Sequence, residues 1–97
     1  MRIITHTRIV EAQARFPGCA TALDCWYRMM KRGRYRNFAE LRAAFGSVDK
    51  VGPLYVFDVG GNKLRLIAAV HFNTGMVFVR HVLTHAEYDR ERWKRQQ

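Results

Sequence analysis

The chain carries, toward its C-terminal end, a short group of side chains that can transfer protons. The sequence Thr84-His85-Ala86-Glu87 matches the capping-box pattern, so a helix is predicted to begin after Thr84 and to run to about residue 94. On that helix His85, Tyr88 and Asp89 occupy positions i, i+3 and i+4 of one face. Histidine changes its charge near neutral pH, and this face is therefore a candidate for proton transfer. The same pattern also allows the alternative that Tyr88 only packs on a sheet and His85 has no role.

A second group of candidate residues lies on a predicted strand over residues 62–72. Side chains alternate between the two faces of a strand, and one of the two resulting sets is wholly apolar. We expect this apolar set to face the helices and the other set to place two cations and a histidine on an open face. An ordinary solvated face is an equal alternative. The apolar set is Leu64, Leu66, Ala68, Val70 and Phe72, and the other set is Lys63, Arg65, Ile67, Ala69 and His71.

Both groups supply the side chains that RNA cleavage without a metal requires. A base must take the proton of the 2′-hydroxyl, an acid must protonate the departing 5′-oxygen, and cations must stabilise the phosphorane. Arg65 is expected to stabilise that charge because its planar fork can bridge two phosphate oxygens. His85 is the candidate for proton transfer. Tyr88 is expected to orient the phosphate, stack on a base or share the proton transfer, with Lys63 as an auxiliary.

The pattern of histidines and cysteines argues against a metal site. His81 and His85 are four residues apart, but the valine-rich segment 76–83 is predicted to be a strand, and no Glu follows His81 as a zinc-protease motif requires. Cys19 and Cys25 are not arranged as a Cys-x-x-Cys pair, and their spacing turns them onto different faces of a helix. We therefore expect free thiols, no metal and no cofactor.

Charge and length limit the classes of function. The 97 residues are expected to form one domain, and 17 Lys and Arg against 8 Asp and Glu give a formal net charge of +9. Such a charge predicts a polyanionic or acidic partner, and nucleic acid is the commonest polyanion. The basic segment 31–36 is a candidate phosphate contact through Arg34 and Arg36, with a solvated helix end as an equal alternative. No apolar run approaches a membrane span of roughly 20 residues, and no secretory signal is evident, so a cytoplasmic protein is expected.

The hydrophobic period changes along the chain from helical to strand-like. Helices are predicted over residues 7–16, from after Pro17-Gly18 to Arg32, and after the Asn37 cap, and a loop over residues 46–53. Strands are predicted over residues 2–5, 54–59, 62–72 and 76–83. We expect an α+β fold with helices on one face of an antiparallel sheet and a short C-terminal helix. The expected core includes Leu23, Tyr27, Phe45, Leu64, Leu66 and Val70.

Two segments resemble the toxins of the HigB family. Residues 55–68, with the pattern G-N-K-x-R, are similar to the central hairpin of that family, and residues 79–89, with T-H-x-E-Y-D, are similar to its C-terminal motif. The resemblance implies a RelE-like fold, ribosome-associated cleavage of mRNA and a HigA-type helix-turn-helix antitoxin. The residues that match the family pattern are Asn62, Lys63, Arg65, Arg80, Thr84, His85, Tyr88 and Asp89.

Three positions depart from the resemblance, and two other functions remain open. Asp58 stands where the family often has Asn, His81 where an aromatic or apolar residue is common, and Leu83 where Gly is frequent.

Candidate RNA contacts are Asn62, Arg80, His71, Arg34 and Arg36. One alternative is a non-catalytic toxin of the ParE kind that binds a protein target, and the other is a plain RNA-binding module that only grips phosphate.

Overall fold

Helices precede the main sheet along the chain, as the change in hydrophobic period predicts. The structure is a computed structural model that describes residues 1–61 and 63–90. Its elements are β1 (Arg2–Ile3), α1 (His6–Arg15), α2 (Ala20–Arg32), α3 (Phe38–Ala44), β2 (Asp49–Val51), β3 (Leu54–Val59), β4 (Leu64–His71), β5 (Met76–Thr84) and α4 (His85–Asp89).

The helix boundaries follow local capping and proline chemistry. A 3-10 turn, Pro17–Cys19, separates α1 from α2, because Pro17 has no N–H to continue the ladder of α1. The Asn37 side chain accepts a hydrogen bond of 2.9 Å from the backbone N–H of Glu40 and caps α3 as predicted. The predicted continuation of the last helix to residue 94 lies outside the described residues.

The sheet has five strands in the order β1-β5-β4-β3-β2. Strands β3, β4 and β5 pair antiparallel as predicted, and β2 also pairs antiparallel with β3. Strand β1 runs parallel to β5, so the sheet is mixed. Several strand bounds differ from the prediction: β1 ends at Ile3, β4 is shorter at both ends, and β5 extends to Thr84. Strand β2 lies inside the predicted loop. Strand β2 turns back at Gly52, whose φ of 60° suits a residue without a Cβ.

The helix-facing side of the sheet confirms the predicted alternation along β4. The apolar side chains at alternate positions of β4 are buried with residues of α1, α2 and α3 in one cluster. Tyr27 and Phe45, predicted to be buried, are only half-buried, because both lie at the margin of this cluster. Tyr27 stacks there on the exposed His6 ring. The cluster includes Ile9, Leu23, Trp26, Met30, Leu41, Phe57, Leu64, Leu66, Ala68 and Val70.

The opposite side of the sheet is not the open cationic face that was predicted. It carries a smaller apolar cluster whose buried members are Leu54, Val56, Ile67 and Ala69. Tyr88 of α4 packs against this cluster, and Arg65 beside it is only 9% exposed. Of the predicted polar set, His71 is exposed at the end of β4, and Lys63 is exposed in the preceding turn.

A β-bulge in β5 changes which side chains share a face. Ile67 pairs with His81 and Ala68 pairs with Val79, so Arg80 is the extra residue on β5. The predicted strict alternation is therefore wrong beyond this point. Val82 joins Val77 and Val79 against the helix-facing core, and Leu83 joins Phe78 in the cluster on the other side.

Candidate active site

A hairpin register places a carboxylate beside Arg65. Asp58 on β3 is the direct cross-strand partner of Arg65 on β4, and side chains paired in this way project from the same face. Arg65 Nη1 lies 3.1 Å from Asp58 Oδ1 and 3.4 Å from the carbonyl oxygen of Leu64. The guanidinium is thus a buried cation with a charged partner, which fixes the direction of its fork.

The other side of the same guanidinium contacts His85. Arg65 Nη2 lies 2.9 Å from His85 Nδ1, and because a guanidinium only donates, Nδ1 must accept. The imidazole is therefore neutral in this arrangement and carries its proton on Nε2. That nitrogen lies 3.2 Å from Asp89 Oδ2, to which it donates. His85 remains accessible to solvent, with 57% of its side chain exposed.

Helix α4 holds His85 in place through its capping box. Thr84 Oγ1 accepts a hydrogen bond of 3.2 Å from Glu87 N–H, and Glu87 Oε1 accepts one of 3.0 Å from Thr84 N–H. Arg15 of α1 reaches the second oxygen of Glu87 at 2.8 Å. The hydrogen bond from Arg15, followed by that from Thr84, lowers the pKa of Glu87 below its ordinary value.

Tyr88 has the packing role that the sequence left open, and it also lies beside Arg65. Its half-buried ring packs on the smaller apolar cluster. The Cζ atom of Arg65 lies 5.9 Å from the ring centroid, within the range of a cation–π contact. The structure therefore brings Arg65, His85 and Tyr88 together, as predicted. Lys63 is not in that group: no hydrogen bond or ion pair joins it to them in the described parts of the chain.

The predicted RNA contacts lie in three separate places. His71, at the other end of β4, has its ring 5.5 Å from that of Phe78. Arg34 and Arg36 line a cavity of about 660 Å³ between the end of α2 and the turn from β4 to β5. Arg80 lines a cleft of about 320 Å³ between α1 and β5. Asn62 lies outside the described residues.

The sequence did not identify Asp58 as a partner of Arg65, although Asp58 was noted as a departure from the family pattern. The register of the β3–β4 hairpin makes the two residues partners. The sequence does not give that register, because a turn with two adjacent glycines leaves the ends of the two strands uncertain. Asp89, by contrast, lies where the helical spacing predicted, one turn from His85.

No group of three or more His, Cys, Asp and Glu in residues 1–61 and 63–90 is placed to hold a metal ion. Cys19 and Cys25 are free thiols, as predicted. No helix in the described chain has the length and apolar character needed to span a membrane. The arrangement offers a fixed cation, an accessible imidazole and a phenol, which together suit acid–base chemistry at a phosphate ester.

Comparison with known proteins matches this chain to one family. The family model described as HigB_toxin, the RelE-like toxic component of a toxin-antitoxin system, matches residues 19–91. The chain is 39% identical over 93 residues to a protein of Escherichia coli O6:H1 named mRNA interferase HigB, with 93% of this chain and 90% of the relative covered. It is 36% identical over 92 residues to the mRNA interferase toxin HigB of Escherichia coli K12 and to the mRNA interferase HigB of Shigella flexneri, with 92% of this chain and 88% of each relative covered.

Proposed function

This chain belongs to the HigB family, the RelE-like toxic components of toxin–antitoxin systems, and on that premise we propose that it is a metal-independent endoribonuclease that cleaves mRNA on the ribosome. The observation that carries the proposal is the contact between buried Arg65 and accessible His85. A cation held by a carboxylate on one side and an imidazole on the other is preorganised, so little reorganisation is needed when charge develops on a phosphate.

Arg65 and His85 form a site that substrate binding can activate. In the structure the Nδ1 lone pair of His85 accepts from Arg65, and the Nε2 proton is donated to Asp89. When a phosphate oxygen takes the Nη2 hydrogen bond, Nδ1 becomes free to accept a proton. We propose that arrival of the scissile phosphate at Arg65 exposes the base in this way.

The reaction proceeds by attack of the substrate's own hydroxyl. A base takes the 2′-hydroxyl proton, and the 2′-oxygen forms a bond to the adjacent phosphorus. Arg65 stabilises the charge of the phosphorane, and the bond to the 5′-oxygen breaks as an acid protonates that oxygen. The products are a 2′,3′-cyclic phosphate and a 5′-hydroxyl. His85 and Tyr88 supply the proton transfers, and Lys63, exposed beside β4, is an auxiliary cation.

RNA outside the reacting bond is held by basic residues elsewhere on the surface. Arg34 lines the larger cavity, and His71 lies exposed at the same end of β4. Arg36 is paired with Glu40 at 3.0 Å but is 82% exposed, so a phosphate can compete for it. Asn62 and Arg80 complete the proposed contacts. Replacing Lys31, Arg32, Arg34 and Arg36 by Ala should flatten the dependence of ribosome binding on log salt.

Partner and location follow from the family and the charge. We propose that a HigA-type helix-turn-helix antitoxin neutralises the toxin in the cytoplasm, where mRNA is translated. The formal net charge of +9 suits an acidic antitoxin. Expression of the chain without antitoxin should arrest growth, and a chain that is harmless when expressed alone would contradict toxin function.

A translation reaction with a defined mRNA tests the activity. Purified wild-type protein, ribosomes and mRNA are combined after chelator treatment of the toxin, and the 3′ and 5′ termini of the fragments are determined. We expect cleavage that leaves a 2′,3′-cyclic phosphate, and loss of cleavage at a mapped site when that nucleotide is 2′-deoxy. Arg42→Ala, which removes one positive charge from the exposed face of α3, is assayed beside wild type as a control for the effect of net charge.

Each other outcome of this reaction identifies an alternative. Binding to RNA or ribosomes without cleavage would indicate a plain RNA-binding module. Growth arrest with intact mRNA and no RNA binding would indicate a toxin that acts on a protein target. Cleavage that continues at a 2′-deoxy nucleotide would exclude attack by the 2′-hydroxyl.

A further inference from the structure

The cleft between α1 and β5 differs from the rest of the basic surface in the number of its arginines and in their partners. It has a volume of about 320 Å³ and is lined by three arginines, Arg8, Arg15 and Arg80, with Glu11 as an acidic residue in the lining. Arg15 is paired with Glu87, whereas Arg8 and Arg80 have no carboxylate partner within residues 1–61 and 63–90. Within the described residues the cleft therefore presents two cationic groups, Arg8 and Arg80, that are available to an external anion.

Two features hold these cations at the cleft. Arg8 Nη1 donates to the carbonyl oxygen of Arg80 at 3.4 Å, which ties α1 to β5. Arg80 is the extra residue of the β-bulge, and bulges near functional sites redirect a side chain out of the regular alternation. The Arg80 guanidinium lies 5.7 Å from the centroid of the Phe78 ring, which belongs to the apolar cluster on the other side of the sheet, so its fork lies at the margin of the cleft with an edge able to donate.

The position of His81 is consistent with a strongly electropositive cleft. Burial, then the charges of Arg8 and Arg80, lower the pKa of His81 below its ordinary value. A neutral imidazole beside two arginines can still donate one hydrogen bond to an anion.

The cleft adjoins the proposed catalytic group. Leu83, at one end of its lining, is the cross-strand partner of Arg65. His81 lies two residues farther along β5, which is about 7 Å at the ordinary rise of a strand. A polyanionic strand whose scissile phosphate contacts Arg65 can therefore extend along β5 and bring a neighbouring phosphate to Arg8 and Arg80.

We propose that the cleft between α1 and β5 is a second phosphate subsite, in which Arg8 and Arg80 hold a neighbouring phosphate of the RNA strand whose cleaved bond lies at Arg65. The inference rests on the proposed function, because it takes RNA as the substrate. The subsite fixes the register of the strand relative to His85. An acidic protein segment is the competing ligand, but the small volume and the arginine forks favour a phosphodiester.

Amide chemical shifts of the full chain report occupancy of the cleft directly. The probe is a short single-stranded 2′-O-methyl RNA, which has no free 2′-hydroxyl and cannot be cleaved by the proposed route. At low salt we expect shifts at Arg8, Arg80 and His81 together with shifts in α4. No shift in α1 or β5, or shifts confined to the basic segment 31–36, would overturn the proposal.

A charge-matched pair of double variants tests which residues bind. Arg8→Ala/Arg80→Ala should weaken binding of this RNA and reduce the slope of log affinity against log salt by about 0.7 for each phosphate that the variant no longer neutralises. Arg42→Ala/Lys50→Ala removes the same charge from exposed positions outside the cleft and should change the slope less. Equal changes in the two double variants would mean that only net charge matters, and the subsite would be rejected.

Three further results separate this inference from the acidic-segment alternative and from the proposed function. A glutamate-rich peptide that shifts the cleft amides while the RNA does not would assign the cleft to an acidic protein segment, and would overturn an RNA subsite. Cleavage of mRNA by wild type with no cleft shifts would leave the nuclease intact and reject the subsite. RNA shifts in the cleft without cleavage would support the subsite and reject the nuclease.

Discussion

The two ends of strand β4 carry similar residue types, but these residues differ in their burial and in the contacts that hold them. At one end, Arg65 is buried between Asp58 and His85. At the other end, about 20 Å away for six residues of strand, His71 is exposed and Arg34 lines an open cavity. We call these the Arg65 end and the His71 end.

The difference between the two ends shows that a reactive site is distinguished from a binding surface by how firmly its charged groups are held. The residue types alone do not distinguish them. A charge that neighbouring groups hold in one direction stabilises a transition state without first reorganising. An exposed charge on a loop attracts phosphate but has no preferred direction, and salt screens it. We therefore assign chemistry to the Arg65 end and RNA attraction to the His71 end. The following substitutions compare the two ends.

Replacing the histidine at each end should give the largest contrast. His85→Ala removes a proton-transfer group, for which losses of about 10²–10⁴-fold in rate are typical. His71→Ala removes a proposed RNA contact and should weaken binding while the maximal rate is kept. Single-turnover cleavage at limiting and saturating toxin separates the two effects. A fall in maximal rate for His71→Ala as large as that for His85→Ala would contradict the assignment.

The carboxylates at the two ends should differ in their contribution to stability. Asp58→Ala leaves the buried guanidinium without its carboxylate and should cost about 1–3 kcal/mol in the free energy of unfolding. Glu40 accepts hydrogen bonds from the exposed Arg36, and Glu40→Ala should lower the urea midpoint less than Asp58→Ala. Asp58→Asn keeps an oxygen acceptor and should cost less than Asp58→Ala. Equal midpoints for wild type and Asp58→Ala would mean that this ion pair does not stabilise Arg65.

Both ends also carry a capped helix, which provides a matched test of positioning. Thr84→Ala and Asn37→Ala each remove a side chain that accepts a hydrogen bond from a helix N–H, at a cost of about 1 kcal/mol. Only Thr84→Ala should also slow cleavage, because Thr84 positions His85. Thermal melts and cleavage rates are compared for the two variants. Similar rates in both would show that the cap of α4 does not position the imidazole.

Acid should weaken the attachment of α4 to α1 by a small amount. The pKa of Glu87 is lowered in the folded chain, so its interaction with Arg15 stabilises the fold above the ordinary pKa of 4.5 and is lost as pH falls through the lowered folded value. Glu87→Gln should therefore be less stable at pH 7 and lose less stability between pH 7 and pH 3. Urea midpoints across that range test this, and parallel curves for the two proteins would contradict it.

Much of the fold could be predicted from hydrophobic period alone. Alternation at Leu64, Leu66, Ala68 and Val70 placed the core on the correct side of β4, since a shift by one residue would expose all of these side chains. Strand β2 could not be predicted, because Asp49-Lys50-Val51 has no alternation and pairs only through the turn at Gly52. The bulge at Arg80 was also missed, since an extra residue does not visibly change the hydrophobic pattern of a valine-rich segment.

The residues of the site were easier to predict than their environment. Helical spacing and charge selected Arg65, His85 and Tyr88, which lie together. The burial of Arg65 could not be predicted, because it depends on Tyr88 packing on the small cluster around Ile67. Lys63 was grouped with Arg65 because alternation placed both on one face of the strand predicted over residues 62–72, but Lys63 lies in the turn before β4.

The most direct test of the account is the rate of ribosome-dependent mRNA cleavage by Arg65→Ala, measured beside Arg34→Ala. Circular dichroism confirms that each variant is folded, and Arg65→Lys, which keeps the charge without the fork, is a second variant if Arg65→Ala unfolds. We expect Arg65→Ala to lose about 10²–10³-fold in rate, with Arg34→Ala close to wild type at saturation. Folded Arg65→Ala that cleaves at the wild-type rate would show that the ordered cation at this end of β4 does not carry the chemistry.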